Sequence, residues 1–385
     1  MLVQFKLPEN SWFTYYGLDP FNGNKPSHCD ASGTVYPNIP SENSNDSISF
    51  LVSSDPMPFP MLNAGRLYIS IGRPLSFTVD LIGNPIPPRP ADSTDPNYDI
   101  LWDFFEVTYI PIDDDGLLNF NLSNVQSAGL PLSFYSSGLE PSTRQPVDYS
   151  RGWAIGGYSK FLTSIHDNIY FGDLILPGSS RVLAPGTAIT AFTQKVIPTP
   201  LFSSNYLDNY IAQVWDKFKD VDLTFIGDPP PNSNNFVNWI GCVHDGHFTF
   251  VTNDLDLEPI VLSQPTTADL FENNFLFCIS GKGEPGSLQE NYANQLFGTL
   301  CAAFNRSVML TTTILANSPD CEWCKSKDAF YKDETTNHYS KEIHANCLDG
   351  LAYAFQSDDH CGVSSYISLI NPELLTIFWS DVNDL

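Results

Sequence analysis

The run WDFFEVTY, Trp102 to Tyr109, limits the fold more than any other stretch. Counted by twos, Trp102, Phe104, Glu106 and Thr108 share one face; Asp103, Phe105, Val107 and Tyr109 share the other. A period of two over apolar and aromatic residues is the mark of a strand. The run is one of several: GRLYISIG (Gly65 to Gly72), LSFTVDLI (Leu75 to Ile82) and LLNFNLSNV (Leu117 to Val125) lie between turn-forming breaks such as NPIPPRPADSTDPN and the acidic turn Asp113 to Gly116. Thirty prolines and 24 glycines supply that punctuation. The first 200 residues therefore read as mainly β.

Near residue 205 the period changes. In NYLDNYIAQVWDKF the apolar residues Tyr206, Leu207, Tyr210, Ile211, Val214, Trp215 and Phe218 form one helical stripe, with Ser204 or Asn205 as its expected cap. Short strands resume at FVNWIGCV and HFTFVTND, and further helices are predicted at Ser287 to Phe304 and in DETTNHYSKEIHANCLDGLAYA. The expected organisation is a β-sandwich or barrel domain over 1–205, completed by about 335–385, and a mixed α/β lobe over 206–334.

Forty-four acidic residues against 18 basic ones give a net charge of −26, which repels nucleic acid and anionic membrane surfaces and suits neutral or cationic partners. No apolar run is long enough for a transmembrane helix. The start, MLVQFKLPEN, lacks a hydrophobic signal core, which predicts a cytosolic protein or one whose signal peptide is already removed. Eight cysteines and sequons at Asn45, Asn121 and Asn305 favour export.

Two motifs invite sharper readings. GKGEPG (Gly281 to Gly286) matches a dinucleotide-binding pattern, but no run of βαβ units surrounds it. Cys321-x2-Cys324 with His338-x5-His344 has zinc-finger spacing, but the intervening KSKDAFYKDETTN is too polar to build a finger's core. Disulfide cysteines and helix histidines are the plainer explanation. No GxSxG elbow accompanies the histidines His28, His166 and His360, which are expected in solvated loops.

Glu106 poses the functional question. Glycoside hydrolysis needs two carboxyl groups across the scissile bond, and an acid on a partly apolar face suits the proton donor, because desolvation raises its pKa. Aromatic neighbours suit sugar faces. Equally, Glu106 reads as a solvated strand residue or half of a surface salt bridge.

The chain resembles the family-64 glycoside hydrolases, laminaripentaose-producing β-1,3-glucanases of thaumatin-like architecture. The resemblance is carried by GTLCAAFNRSVML (Gly298 to Leu310), TTNHYSKEIHANCLDGLAYAFQSDD (Thr335 to Asp359), YIAQVW (Tyr210 to Trp215), GRLYISIG and WDFFEVTY. It implies a β-rich, two-lobed fold with a wide groove for linear β-1,3-glucan, and no cofactor or metal. It implies an inverting mechanism with Glu106 as general acid, and sugar contacts from Thr108, Ser123 and Trp102. The general base of the family is an aspartate in ST-x-V-D-x-F; the matching segment here is LSNVQSAGLP (Leu122 to Pro131), and the aspartate's place falls on Gln126. An amide cannot take a proton from water. The Asp113 to Asp115 cluster is the one nearby source of a substitute acid, and reads more simply as a solvated turn.

The resemblance further implies a Cys278–Cys301 disulfide. CLDGLAYAFQSDDHC, from Cys347 to Cys361, resembles the thaumatin C-terminal pattern, in which Asp358 and Asp359 either line an acidic cleft or brace the backbone. Three functions follow as expectations: an active β-1,3-glucanase, a glucan-binding or thaumatin-like defence pseudoenzyme, or a structural, self-assembling protein on the same fold.

Overall fold

The computed structural model describes residues 1–37, 48–80, 83–253, 256–318, 322–325 and 327–381. The sequon at Asn45 and Cys321 lie outside them. The chain divides into two compact units. The first comprises Met1–Thr199, Glu342–Ala354 and Ser364–Leu385; the second comprises Pro200–Lys341 and Phe355–Val363.

The first unit is built on a 13-stranded sheet. At its centre the strand Leu101–Ile112 lies between Leu62–Ile71 and Asp115–Ser123, antiparallel to both. The series continues through Ile367–Ile370, Leu132–Leu139, Leu374–Trp379 and Leu2–Lys6, the last joining in parallel. The C-terminal strands therefore pair with N-terminal ones, and the fold is mainly β, as the alternating pattern predicts.

The predicted strand LSFTVDLI does not form as such. Within it only Thr78–Val79 pairs as strand among the described residues. The reason is local: the Asn97 side chain accepts from Ser76 N at 2.7 Å and donates to Ser76 O at 2.8 Å, taking the backbone groups a ladder would use. Leu75 and Phe77 then fold over the main sheet and pack with Tyr16, Ile48, Tyr68, Ile100, Trp102 and Phe104.

The second unit carries a six-stranded sheet, in spatial order Cys278–Ser280, Ile260–Leu262, His247–Val251, Val237–His244, Leu223–Gly227 and Ile314–Ala316. The helix expected near residue 205 spans Asp208–Lys217 and buries Tyr210, Ile211, Val214 and Trp215. Its cap differs from expectation. Ser204 and Asn205 lie in the preceding turn, and the Thr267 hydroxyl accepts from Leu207 N at 2.8 Å while donating to the Asp208 carboxylate at 2.9 Å. A residue 60 positions away does the capping, which local pattern cannot reveal.

The helix Leu288–Asn305 starts where expected, with the Ser287 hydroxyl accepting from Glu290 N. The GKGEPG loop precedes it, and Glu290 also accepts from Gly286 N at 2.6 Å. The chain's own carboxylate thus occupies the amide a phosphate would use.

The disulfide expectation is corrected. Cys278 and Cys301 are free thiols, as are Cys29 and Cys242. Cys361 is bonded, but to Cys324, inside the second unit. That bond also removes Cys324 from any zinc site with His338 and His344. Among the described residues no group of three acid, histidine or cysteine side chains is placed to hold a metal ion, and no helix is long and apolar enough to cross a membrane.

Candidate active site

The strand Leu101–Ile112 is covered on both faces in its first half and opens in its second. On one face Phe105 stacks on Phe120, ring centroids 4.8 Å apart, and Phe134 meets both edge-on. On the other, Trp102 and Phe104 lie under the Leu75–Phe77 cover. Past Phe104 that cover ends. Glu106 and Thr108, half-buried, line a cavity of about 280 Å³ together with Ala64, Gly65, Arg66, Val107, Asn119, Asn121 and Tyr366. Glu106 is the one acid among these lining residues.

The sheet register makes this constellation. Glu106 is paired with Arg66 on one neighbouring strand and with Asn121 on the other. The Asn121 amide donates to Glu106 Oε2 at 3.3 Å. The Arg66 guanidinium lies 5.0 Å over the Phe104 ring and donates to the Tyr68 hydroxyl at 3.4 Å. Burial works against its charge, but Tyr68, Tyr16 and Glu106 outweigh that and raise its pKa. Thr108 is paired with Asn119, and its hydroxyl accepts from Ala64 N at 3.2 Å, at a bulge where the register shifts between Val107 and Tyr109. A Cβ on Gly65, at the same bulge, would meet Tyr16 O at 2.7 Å, so only glycine fits. Asn119 Oδ1 in turn accepts from Tyr366 and Ser368 hydroxyls, at 2.7 and 2.8 Å.

The remaining candidates are elsewhere. Trp102, 1% exposed, is core: its ring packs on Tyr68 and carries the Arg181 guanidinium 4.8 Å above it. It therefore offers no surface to a sugar. Ser123, also 1% exposed, is paired with Phe104, and its hydroxyl meets no hydrogen-bond partner among the described residues. Gln126 is half-buried in the link after Asp115–Ser123, outside the lining of the Glu106 cavity, and its carbonyl accepts from Ala184 N at 3.0 Å.

The segment carrying Gln126 is pinned from below. Asp103, fully buried, accepts from Gly129 N and Leu130 N at 3.0 and 3.3 Å. Burial pushes its carboxyl up to about 7, while those amides and Arg181 pull the other way.

The Asp113 to Asp115 cluster lies outside the lining of the Glu106 cavity. It forms the hairpin turn, with Asp115 paired to Ile112 and bonded to Arg144 and Asn371. Six residues of extended strand, about 20 Å, separate that turn from Glu106.

Asp358 and Asp359 belong to the second unit. Asp358 is the brace: fully buried, it pairs with buried Arg306 at 2.9 Å, and Phe330, Phe355 and Trp323 surround that guanidinium. The Asp359 side chain is exposed and lies 3.6 Å from His360, which holds its carboxyl below the usual range.

Arg66, Asn119, Asn121 and Tyr366 are the polar cavity residues the sequence reading missed. The signal existed for two of them. An acidic turn at Asp113 to Asp115 sets a hairpin register that puts Asn121 opposite Glu106 and Asn119 opposite Thr108. Asn121 instead stood out as a sequon. It is only 7% exposed, and Asn305 is fully buried with its amide bonded to Leu270 O and Cys301 O. Neither is accessible to carry a glycan in the folded chain.

Comparison with known proteins gives a consistent result. A family model described as Beta-1,3-glucanase matches residues 4–379. A glucan endo-1,3-beta-glucosidase of Arthrobacter sp. (strain YCWD3) is 27% identical over 313 residues, 80% of this chain. One of Cellulosimicrobium cellulans is 26% identical over the same share. The chain spans about half, 51%, of the length of these curated relatives. A laminaripentaose-producing beta-1,3-glucanase solved with laminaritetraose superposes with a TM-score of 0.77 at 23% identity, covering 99% of this chain and 98% of that one. A beta-1,3-glucanase domain from Clostridium beijerinckii gives 0.72 at 20% identity, covering 98% and 97%. With a match along nearly its whole length, the chain belongs to glycoside hydrolase family 64, the beta-1,3-glucanase family.

Proposed function

We propose that this chain recognises linear β-1,3-glucan at the Glu106 cavity and that its hydrolysis of that polymer is limited by the absence of a general base. One observation carries the second clause: Glu106 is the one acid lining the cavity; the family resemblance, which sets Gln126 in the aspartate's place, supports it. An inverting glycosidase needs two carboxyl groups roughly 6.5–9.5 Å apart, with a water between the second one and the sugar. Glu106 would protonate the leaving oxygen, steadied by Asn121. Gln126 can hold a water but not deprotonate it. Loss of a placed base costs about 100- to 10,000-fold in rate.

Recognition needs less. Hydroxyl-bearing sugars are bound by paired amides, hydroxyls and carboxylates around an apolar face. Glu106, Thr108, Asn119, Asn121 and Tyr366 supply those groups on adjacent strands. The repulsive field of a net charge of −26 is no obstacle to a neutral polymer. The Cys324–Cys361 disulfide supports action outside the reducing cytosol.

Two measurements on wild type test the reading: pull-down on insoluble β-1,3-glucan, and reducing-end release from the same polymer. Retention on glucan with slow release is expected. Rapid release that is lost in Glu106→Gln would identify a competent enzyme with another base. Absence of retention would leave a structural use of the fold.

A further inference from the structure

We infer that Tyr366 is a sugar-stacking platform, placed one glucose unit along the chain from the bond that Glu106 addresses. The inference rests on the glucan-recognition reading above.

Tyr366 is a large aromatic left 49% exposed, and its exposed surface lines the same cavity as Glu106 and Thr108. Neighbouring aromatics of this unit, Tyr68, Trp102 and Phe104, are all buried. Tyr366 is also fixed. Its hydroxyl donates to Asn119 Oδ1 at 2.7 Å, and the Ser368 hydroxyl holds the same oxygen at 2.8 Å. Its backbone N donates to Ser364 Oγ at 3.1 Å. A tyrosine that lines a cavity and is tethered at its hydroxyl and its backbone is preorganised for contact and loses little rotamer freedom on binding.

The spacing gives the sugar position. Tyr366 directly precedes Ile367, which is paired with Phe120 beside Asn121; Asn121 is paired with Glu106. Two strand spacings, about 10 Å, therefore separate the backbones of Tyr366 and Glu106, and the Tyr366 side chain reaches back over the intervening strand to Asn119. A pyranose ring spans about half of that, so the ring under Tyr366 is a neighbour of the reacting one. β-Glucopyranose suits an aromatic partner because its ring hydroxyls are all equatorial. Both ring faces then present C–H groups, and the edge hydroxyls reach the amides of Asn119 and Asn121. An axial hydroxyl, as in galactose, would interrupt one face.

Titration calorimetry with linear laminari-oligosaccharides and with β-1,3-galacto-oligosaccharides of the same length tests this. Wild type is expected to bind the gluco series at least about tenfold more tightly than the galacto series. Tyr366→Ala is expected to weaken the gluco series by about tenfold or more, the loss typical of a central aromatic contact. Tyr366→Phe is expected to stay within about threefold. Equal affinity of wild type and Tyr366→Ala for the gluco series would overturn the inference while leaving glucan recognition intact. Absence of wild-type binding would overturn both. Should Tyr366→Ala fail to fold, the tyrosine ring resonances of wild type, assigned with Tyr366→Phe, give the answer. They are expected to shift when oligosaccharide is added, and an unmoved Tyr366 signal would overturn the inference.

Discussion

The Asn121 amide donates to Glu106 Oε2 at 3.3 Å, directly across the hairpin that ends in Asp113 to Asp115. An acid set among aromatics thus has a fixed neutral partner, and its orientation is a consequence of strand register. Removing the amide in Asn121→Ala leaves a part-buried carboxylate without that donor. Unfolding by urea is expected to show a loss of about 1–2 kcal/mol. A variant as stable as wild type would mean that the bond holds nothing in place.

Asp103 gives a pH signature. Burial raises its folded pKa to about 7, whereas the unfolded chain releases the proton near pH 4. The stability it contributes is fully present below about pH 4 and is lost as the pH rises through 7. Asp103→Asn keeps an acceptor for Gly129 N and Leu130 N and does not titrate. The stability of Asp103→Asn minus that of wild type is expected to grow between pH 4 and pH 7, by up to about 4 kcal/mol. Parallel stability curves over that range would contradict the assignment.

Much of this architecture was legible in the sequence, and the losses have identifiable physical causes. The period of two exposed the central strands, and the stripe from Tyr210 to Trp215 exposed a helix. The face shared by Trp102 and Glu106 was read correctly as one face. What the pattern could not show is that Leu75 and Phe77 cover only half of it, so that Trp102 is core and Glu106 is open. Likewise Thr267 caps a helix 60 residues away in sequence, and Cys361 takes Cys324, 37 residues away, while Cys278 and Cys301 stay unbonded. Those choices are tertiary.

Asp358 shows the same lesson with a measurable consequence. The SDD run reads as an acidic patch, yet Asp358 is a buried counter-ion to Arg306. Asp358→Ala leaves a buried guanidinium among three aromatic rings without its carboxylate. It is expected to cost about 3–5 kcal/mol in denaturant unfolding, whereas replacing the pair together, Arg306→Met with Asp358→Leu, is expected to cost clearly less. Equal losses would argue against a coupled pair.

Gln126 carries the central claim, and restoring the acid tests it most directly. The initial rate of reducing-end release from linear β-1,3-glucan should be compared for wild type and Gln126→Asp at saturating polymer. Gln126→Asp is expected to be at least about 100-fold faster, with the gain abolished by adding Glu106→Gln. A wild type as fast as Gln126→Asp would contradict the account, because the chain would then own a base that Gln126 does not replace.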